Sequence, residues 1–137
     1  MTYIALSLRR EVQERANRRC EYCLLHEKDA YFSHEPDHVI AEKHDGKTNR
    51  DNLAWSRFDC NRFKGSDIAS IDRTTDSLVP LFHPRNHLWQ DHFEICNAVI
   101  QPLTAIGRAT EKILKLNLPD RVEVRRVLTK LKRYPHG

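Results

Sequence analysis

No apolar run in this sequence approaches the ~20 residues that a membrane-spanning helix needs. The opening stretch, MTYIALSLRREV, has an apolar segment too short for a secretory signal, and its arginines follow that segment where a signal peptide would have them precede it. The expected compartment is therefore the cytoplasm, with no membrane partner. There is no internal repeat and no low-complexity tract. A Gly-rich phosphate loop, a dinucleotide-binding fingerprint and a Ser-His-Asp arrangement are also missing. These absences remove the commonest nucleotide-binding and acyl-transfer chemistries.

What remains is a polar chain of 137 residues, with 31% charged residues and a mean hydropathy of −0.68. A chain of this length buries roughly two-thirds of its unfolded surface, so it needs neither metal nor disulfide merely to fold. It is expected to form one domain over residues 1–137, with a core at about 20–68 and a helical extension at about 104–133. The formal charge is +4 and the isoelectric point about 9.0, a balance that favours a polyanionic partner. The four cysteines are Cys20, Cys23, Cys60 and Cys96. In a cytosolic chain, Cys20-Glu-Tyr-Cys23 reads as metal ligation before disulfide.

Several elements are legible. Leu8, Val12, Ala16 and Cys20 recur every four residues, which predicts a helix over 7–20 capped by Ser7. Its other faces carry Arg9, Arg10, Arg15, Arg18 and Arg19, either a solvated surface or one that faces phosphate. The run YFSHEPDHVIA (31–41) reads as extended, because Pro36 disfavours helix and Val39 and Ile40 favour strand. A polar loop with Gly46 follows, then a strand over 52–56 and a short helix from Cys60. LVPLF (78–82) and LWQDHFEI (88–95) are expected to form a hairpin, with Pro80 at its edge. Two helices close the chain. Thr104 caps one carrying Ile106, Ala109, Ile113 and Leu116, and Pro119 opens another. The second has Val124, Val127, Leu128 and Leu131 on one face and Arg121, Arg125, Arg126, Lys130, Lys132 and Arg133 on the others. Trp55 and Trp89 are expected in the core. His83, His87 and His92 allow two readings: a three-histidine metal site, or a nucleic-acid-facing edge with Arg85.

The chemistry concentrates in residues 37–61. Phosphodiester hydrolysis needs a base to activate water, a cation to stabilise charge on phosphorus and the leaving oxygen, and rigid placement of both. Histidine, with an ordinary pKa of ~6.5, is neutral at working pH and can take that proton, so His38 is the candidate base. Neighbouring side chains on a strand point to opposite faces, which lets Asp37 hold a cation on the helix side. Asn61, early in the following helix, offers an amide oxygen as second ligand. This oxygen-only pair suits Mg²⁺ or Mn²⁺ better than Zn²⁺. Asn52 closes the long loop, and its amide can bond loop backbone and hold the His38 strand in place.

Taken together, CEYC, PDHVIAEKHDGKTNRDNLA and CNRFKGSD resemble an HNH endonuclease of the ββα-metal fold. LVPLFHPRNHLWQDHF and PLTAIGRAT resemble segments that accompany this core in small stand-alone bacterial HNH proteins, so the resemblance runs from about Leu8 to Pro135. It implies an α+β fold: a ββα core with an N-terminal helix, an extra β-hairpin and a C-terminal helical pair. It also implies Asp37 and Asn61 as ligands of the catalytic ion, His38 as general base, Asn52 as loop-ordering residue, and metal-dependent cleavage of DNA with little sequence preference. Arg62, Lys64, Arg85, Arg125 and Arg126 are the expected nucleic-acid contacts. The chain departs from the family at one place. Many HNH proteins hold a structural zinc with two Cys-x-x-Cys pairs, and the second pair here would be residues 57 and 60. Residue 57 is Arg, which cannot ligate zinc. Cys20, Cys23 and Cys60 remain, with His26, His34 or Cys96 as candidate fourth ligands, or no zinc at all. The missing cysteine and the basic helices keep an alternative open: a non-catalytic nucleic-acid-binding module on the same scaffold.

Overall fold

The computed structural model describes residues 2–136. Helix α1 (Leu6–Arg15) is shorter than the stripe suggests. It ends because Asn17 and Arg18 take left-handed backbone angles, φ 54° and 63°, which a continuing helix cannot accommodate. Cys20 therefore lies beyond the helix. Ser7 sits inside it, and the capping residue Ala5 has no polar side chain to offer. Val12 is fully buried against Leu53 and Trp55, with Leu8 and Ala16 flanking, so three of the four striped positions do anchor the helix.

Strands β1 (Glu35–His38) and β2 (Leu53–Ser56) pair antiparallel, with Asp37 opposite Ala54 and His38 opposite Leu53. All four β2 residues are buried. Helix α2 (Phe58–Lys64) follows, two residues earlier than expected, and Gly65 ends it with φ 53°, where a glycine meets no Cβ penalty. The sequence order strand, long loop, strand, helix is thus present, and Asn61 closes the first turn of α2.

The next stretch corrects the expected pairing of 78–82 with 88–95. Two local hairpins form in its place. Strand β3 (Ala69–Asp72) pairs with β4 (Ser77–Pro80). Its turn is folded by the Asp72 carboxylate, which accepts from the Thr74 and Thr75 amides at 3.4 and 3.3 Å and from Thr75 Oγ1 at 2.8 Å. After the short helix α3 (Trp89–His92), strand β5 (Phe93–Cys96) pairs with β6 (Val99–Pro102). Asn97 and Ala98 between them have φ 51° and 69°, the left-handed pair of a tight hairpin turn. Connections this short close with less loop entropy than the expected longer one.

Helix α4 (Ala105–Leu114) is capped by Thr104, whose Oγ1 accepts from the Gly107 amide at 3.0 Å. It lies against α2, β3, β4 and β6. Helix α5 (Pro119–Lys130) has Pro119 in its first turn, as expected, but it faces the other way. Val127 and Leu131 are 48% and 60% exposed, whereas Arg121 and Arg125 are 4% and 0%. The reason lies at the end of α4, whose last carbonyls have no partner inside their own helix. Arg121 Nη1 donates to the carbonyls of Leu114 and Lys115 at 2.8 and 3.2 Å, and Arg125 Nη1 to that of Leu116 at 2.9 Å. Leu128 completes the inward face and joins a buried cluster that runs along the chain from Cys20 to Tyr134.

Candidate functional site

The loop between β1 and β2 is closed by one side chain. Asn52 is buried, and its Oδ1 accepts from the Ile40 amide at 2.9 Å while its Nδ2 donates to the carbonyls of Ile40 and Lys47 at 2.9 and 2.8 Å. Three backbone groups of the loop are thereby satisfied at once. Gly46 makes the closure possible, because any Cβ there would collide with the Ile40 carbonyl oxygen. The closed loop brings Thr48 to His38, with Oγ1 2.8 Å from Nε2. Glu42 Oε1 lies 3.9 Å from the same nitrogen.

Asp37, one residue earlier, points inward and is 5% exposed. Its Oδ2 accepts from the Tyr22 hydroxyl at 2.8 Å, and Lys64 Nζ lies 3.3 Å from Oδ2 and 3.5 Å from Oδ1. Lys64 also donates to the His38 carbonyl at 3.1 Å. Burial pushes the Asp37 carboxyl up from its ordinary value, opposed by Lys64 and by the Tyr22 hydrogen bond. Burial and the neighbouring carboxylate push the Tyr22 phenol well up in turn, so it stays a donor. Asp37, His38 and Asn61 nevertheless meet, lining one cavity of about 260 Å³ together with Glu42 and Ser66. A wider cleft of about 650 Å³ continues from His38, Glu42 and Asn61 past Arg9 to Thr2 and Tyr3.

On the other side of Tyr22, the sulfurs of Cys20, Cys23 and Cys60 lie within 4.8 Å of one another and are fully buried. Such a cluster can hold a metal ion. Residues 20–67 match the family model described as HNH endonuclease. Over this stretch the chain is similar to HNH endonucleases. No curated protein and no solved structure matches the chain.

HNH nucleases depend on a metal, and the donors around His38 fit a hard divalent ion. Asp37 and Asn61 offer oxygen ligands, and both line one cavity. The Asn61 amide makes no hydrogen bond among the described residues. The sulfur cluster fits a closed zinc site less well, since structural zinc takes four ligands. His34 donates from Nε2 to the Leu25 carbonyl at 2.9 Å and keeps a buried Nδ1 without a partner among the described residues, His26 Nδ1 accepts from the Lys28 amide at 3.1 Å, and Cys96 is exposed. None of the three candidates completes the set among the described residues. Arg121 Nη2 takes the place beside the sulfurs, 2.9 Å from Cys60 Sγ. Burial pushes the Cys60 thiol up to about 12.

The expected nucleic-acid contacts are redistributed. Lys64 is buried against Asp37, and Arg125 is buried with all three guanidinium nitrogens on the Ala98 and Leu116 carbonyls and the Asn117 amide. Neither reaches a solvent-facing surface, because each neutralises or caps an interior group. Arg85 is tied to Glu21 and half-buried, and Arg126 pairs with Glu123 at 2.8 Å. Arg62 is exposed and stacks on Phe58 at 5.0 Å. Among the described residues, His83, His87 and His92 are not gathered as a three-ligand metal cluster. His87 and His83 accept through Nδ1 from the His83 and Arg85 amides, and His92 bonds Thr104. Those nitrogens hold the loop together. Four residues of the site escaped the sequence reading: Tyr22, Thr48, Glu42 and the inward-facing role of Lys64. Tyr22 carried the one usable signal, a tyrosine inside the Cys-x-x-Cys turn.

Proposed function

We propose that the protein is a metal-dependent endonuclease that hydrolyses DNA phosphodiester bonds with weak sequence preference. The observation that carries this reading is the shared cavity of Asp37, His38 and Asn61 within the stretch similar to HNH endonucleases. His38 takes a proton from water, the oxygen attacks phosphorus, and the bond to the 3′-oxygen breaks. That leaves a 5′-phosphate and a 3′-hydroxyl, the leaving oxygen taking its proton from solvent. Asp37 and Asn61 would hold a divalent ion, Mg²⁺ or Mn²⁺, which would supply positive charge against that developing on phosphorus and the leaving oxygen. Asn52 keeps the loop closed and the base in place. The wider cleft, with Arg9 on its wall, admits the backbone of the substrate.

Plasmid incubated with the protein and Mg²⁺ or Mn²⁺ should be nicked or cut. His38→Ala should leave it intact, and EDTA should stop the wild-type reaction. Equal cleavage by wild type and His38→Ala would remove this reading.

One observation favours a second reading. Tyr22 and Lys64 already bond both Asp37 oxygens, which weakens the carboxylate as a metal ligand. On that reading the scaffold binds nucleic acid without cutting it. Salt-dependent DNA binding with no metal-dependent cleavage supports this module, and absence of binding at low salt rejects it.

A further inference from the structure

We propose that Thr48 is the residue that positions His38: its Oγ1 accepts the proton on Nε2, so that Nδ1 keeps the lone pair and faces the reacting water. The consequence for catalysis rests on the nuclease reading above, whereas the assignment of the ring nitrogens does not.

A neutral imidazole carries one N–H and one lone pair, and it serves as a base only where the lone pair meets the proton to be removed. Two groups face Nε2: Thr48 Oγ1 at 2.8 Å and Glu42 Oε1 at 3.9 Å. A carboxylate is an acceptor only, so its presence beside Nε2 favours a proton on that nitrogen. Glu42 is itself held by the Thr2 hydroxyl. With Nε2 protonated, the Thr48 hydroxyl must accept. Its oxygen makes no other hydrogen bond among the described residues, so nothing competes for it. Nδ1 of His38 makes no hydrogen bond among them either, and His38 borders both the small cavity and the wider cleft.

Thr48 is fixed from behind. Its neighbour Lys47 has its carbonyl bonded by Asn52, and Gly46 packs on the Ile40 carbonyl. A β-branched side chain adds few rotamers of its own. Asn52 thus reaches the base through Lys47 and Thr48, a route that sequence spacing alone does not display.

The test uses the full chain labelled with ¹⁵N-histidine. Long-range ¹H–¹⁵N correlation separates the two tautomers, and His38→Ala assigns the signal among the eight histidines. Wild type should show His38 with its proton on Nε2. Thr48→Val, which keeps the shape and removes the acceptor, should mix the tautomers, and Thr48→Ser should restore the wild-type pattern. In parallel, kcat/KM on plasmid should fall about 10–100-fold in Thr48→Val, the range typical of lost orienting partners. Thr48→Ser should recover most of the loss, with DNA affinity measured without metal unchanged throughout. A wild-type proton on Nδ1, or tautomers unaltered in Thr48→Val, would overturn the proposal. So would tautomers scrambled by Glu42→Gln alone, because the carboxylate would then be the positioning group. A correct tautomer pattern in a protein that cuts no DNA overturns the nuclease reading and leaves the assignment of Thr48 standing.

Discussion

Asn52 satisfies three backbone groups that its loss would strand at the edge of the core. Leaving buried polar groups unpaired costs more than the bonds were worth, so Asn52→Ala should lower unfolding stability by about 2–4 kcal/mol. Urea denaturation measures this, and a change under about 0.5 kcal/mol would mean that the loop is held by other contacts. Lys64 offers a sharper contrast. As a surface contact to phosphate it would be replaceable at no cost to folding. As the buried partner of Asp37 it is not, and Lys64→Met should destabilise by about 3–5 kcal/mol, the usual result of leaving one buried charge unpaired. The difference between these residues also marks how much of the site the sequence discloses. Asp37-His38, Asn52 and Asn61 stand out because their chemistry fits an ordered spacing along the chain. Tyr22, Thr48 and the inward turn of Lys64 do not, because each is defined by a partner that only the folded loop brings near.

At the scale of elements, α5 is the place where patterning misleads. Its apolar residues recur at helical spacing and ask for the core, yet Val127 and Leu131 lie outside. Two arginines win the inward face because the end of α4 presents carbonyls that no aliphatic side chain can satisfy. Val127→Gln should therefore change stability by no more than about 0.5 kcal/mol, whereas Arg125→Met should cost about 2–4 kcal/mol. Thermal melts of the two variants decide between this orientation and the one that periodicity suggests. The two hairpins teach the same lesson on a smaller scale. Asp72 folding its own turn and the left-handed pair Asn97-Ala98 are local devices, but neither carries the glycine that usually announces a tight turn.

Across the whole molecule, Asp72 also joins the first hairpin to α4 through a two-pronged pair with Arg108, at 2.8 and 3.0 Å. The hydrogen bonds from Arg108, with those from Thr75 and Thr74, hold its carboxyl well below the usual range. A depressed native pKa means that the pair stabilises the fold at every pH above the unfolded value of ~3.9, and that this is lost as pH falls through the native one. The melting temperatures of wild type and Asp72→Asn should differ by a near-constant amount from pH 7 to about 5 and converge in stronger acid. A gap that closes already near neutrality would contradict the pairing.

The guanidinium beside the sulfur cluster has a consequence for portability. The HNH match stops at residue 67, but the nitrogen that meets Cys60 comes from residue 121, and the Tyr134 hydroxyl donates to the Cys23 carbonyl at 2.6 Å. Residues 20–67 are thus a motif without a lid. Grafted into a foreign host, they would carry Asp37, His38, Asn52 and Asn61 and leave three thiols open to oxidation, while the native chain seals them with residues 121 and 134.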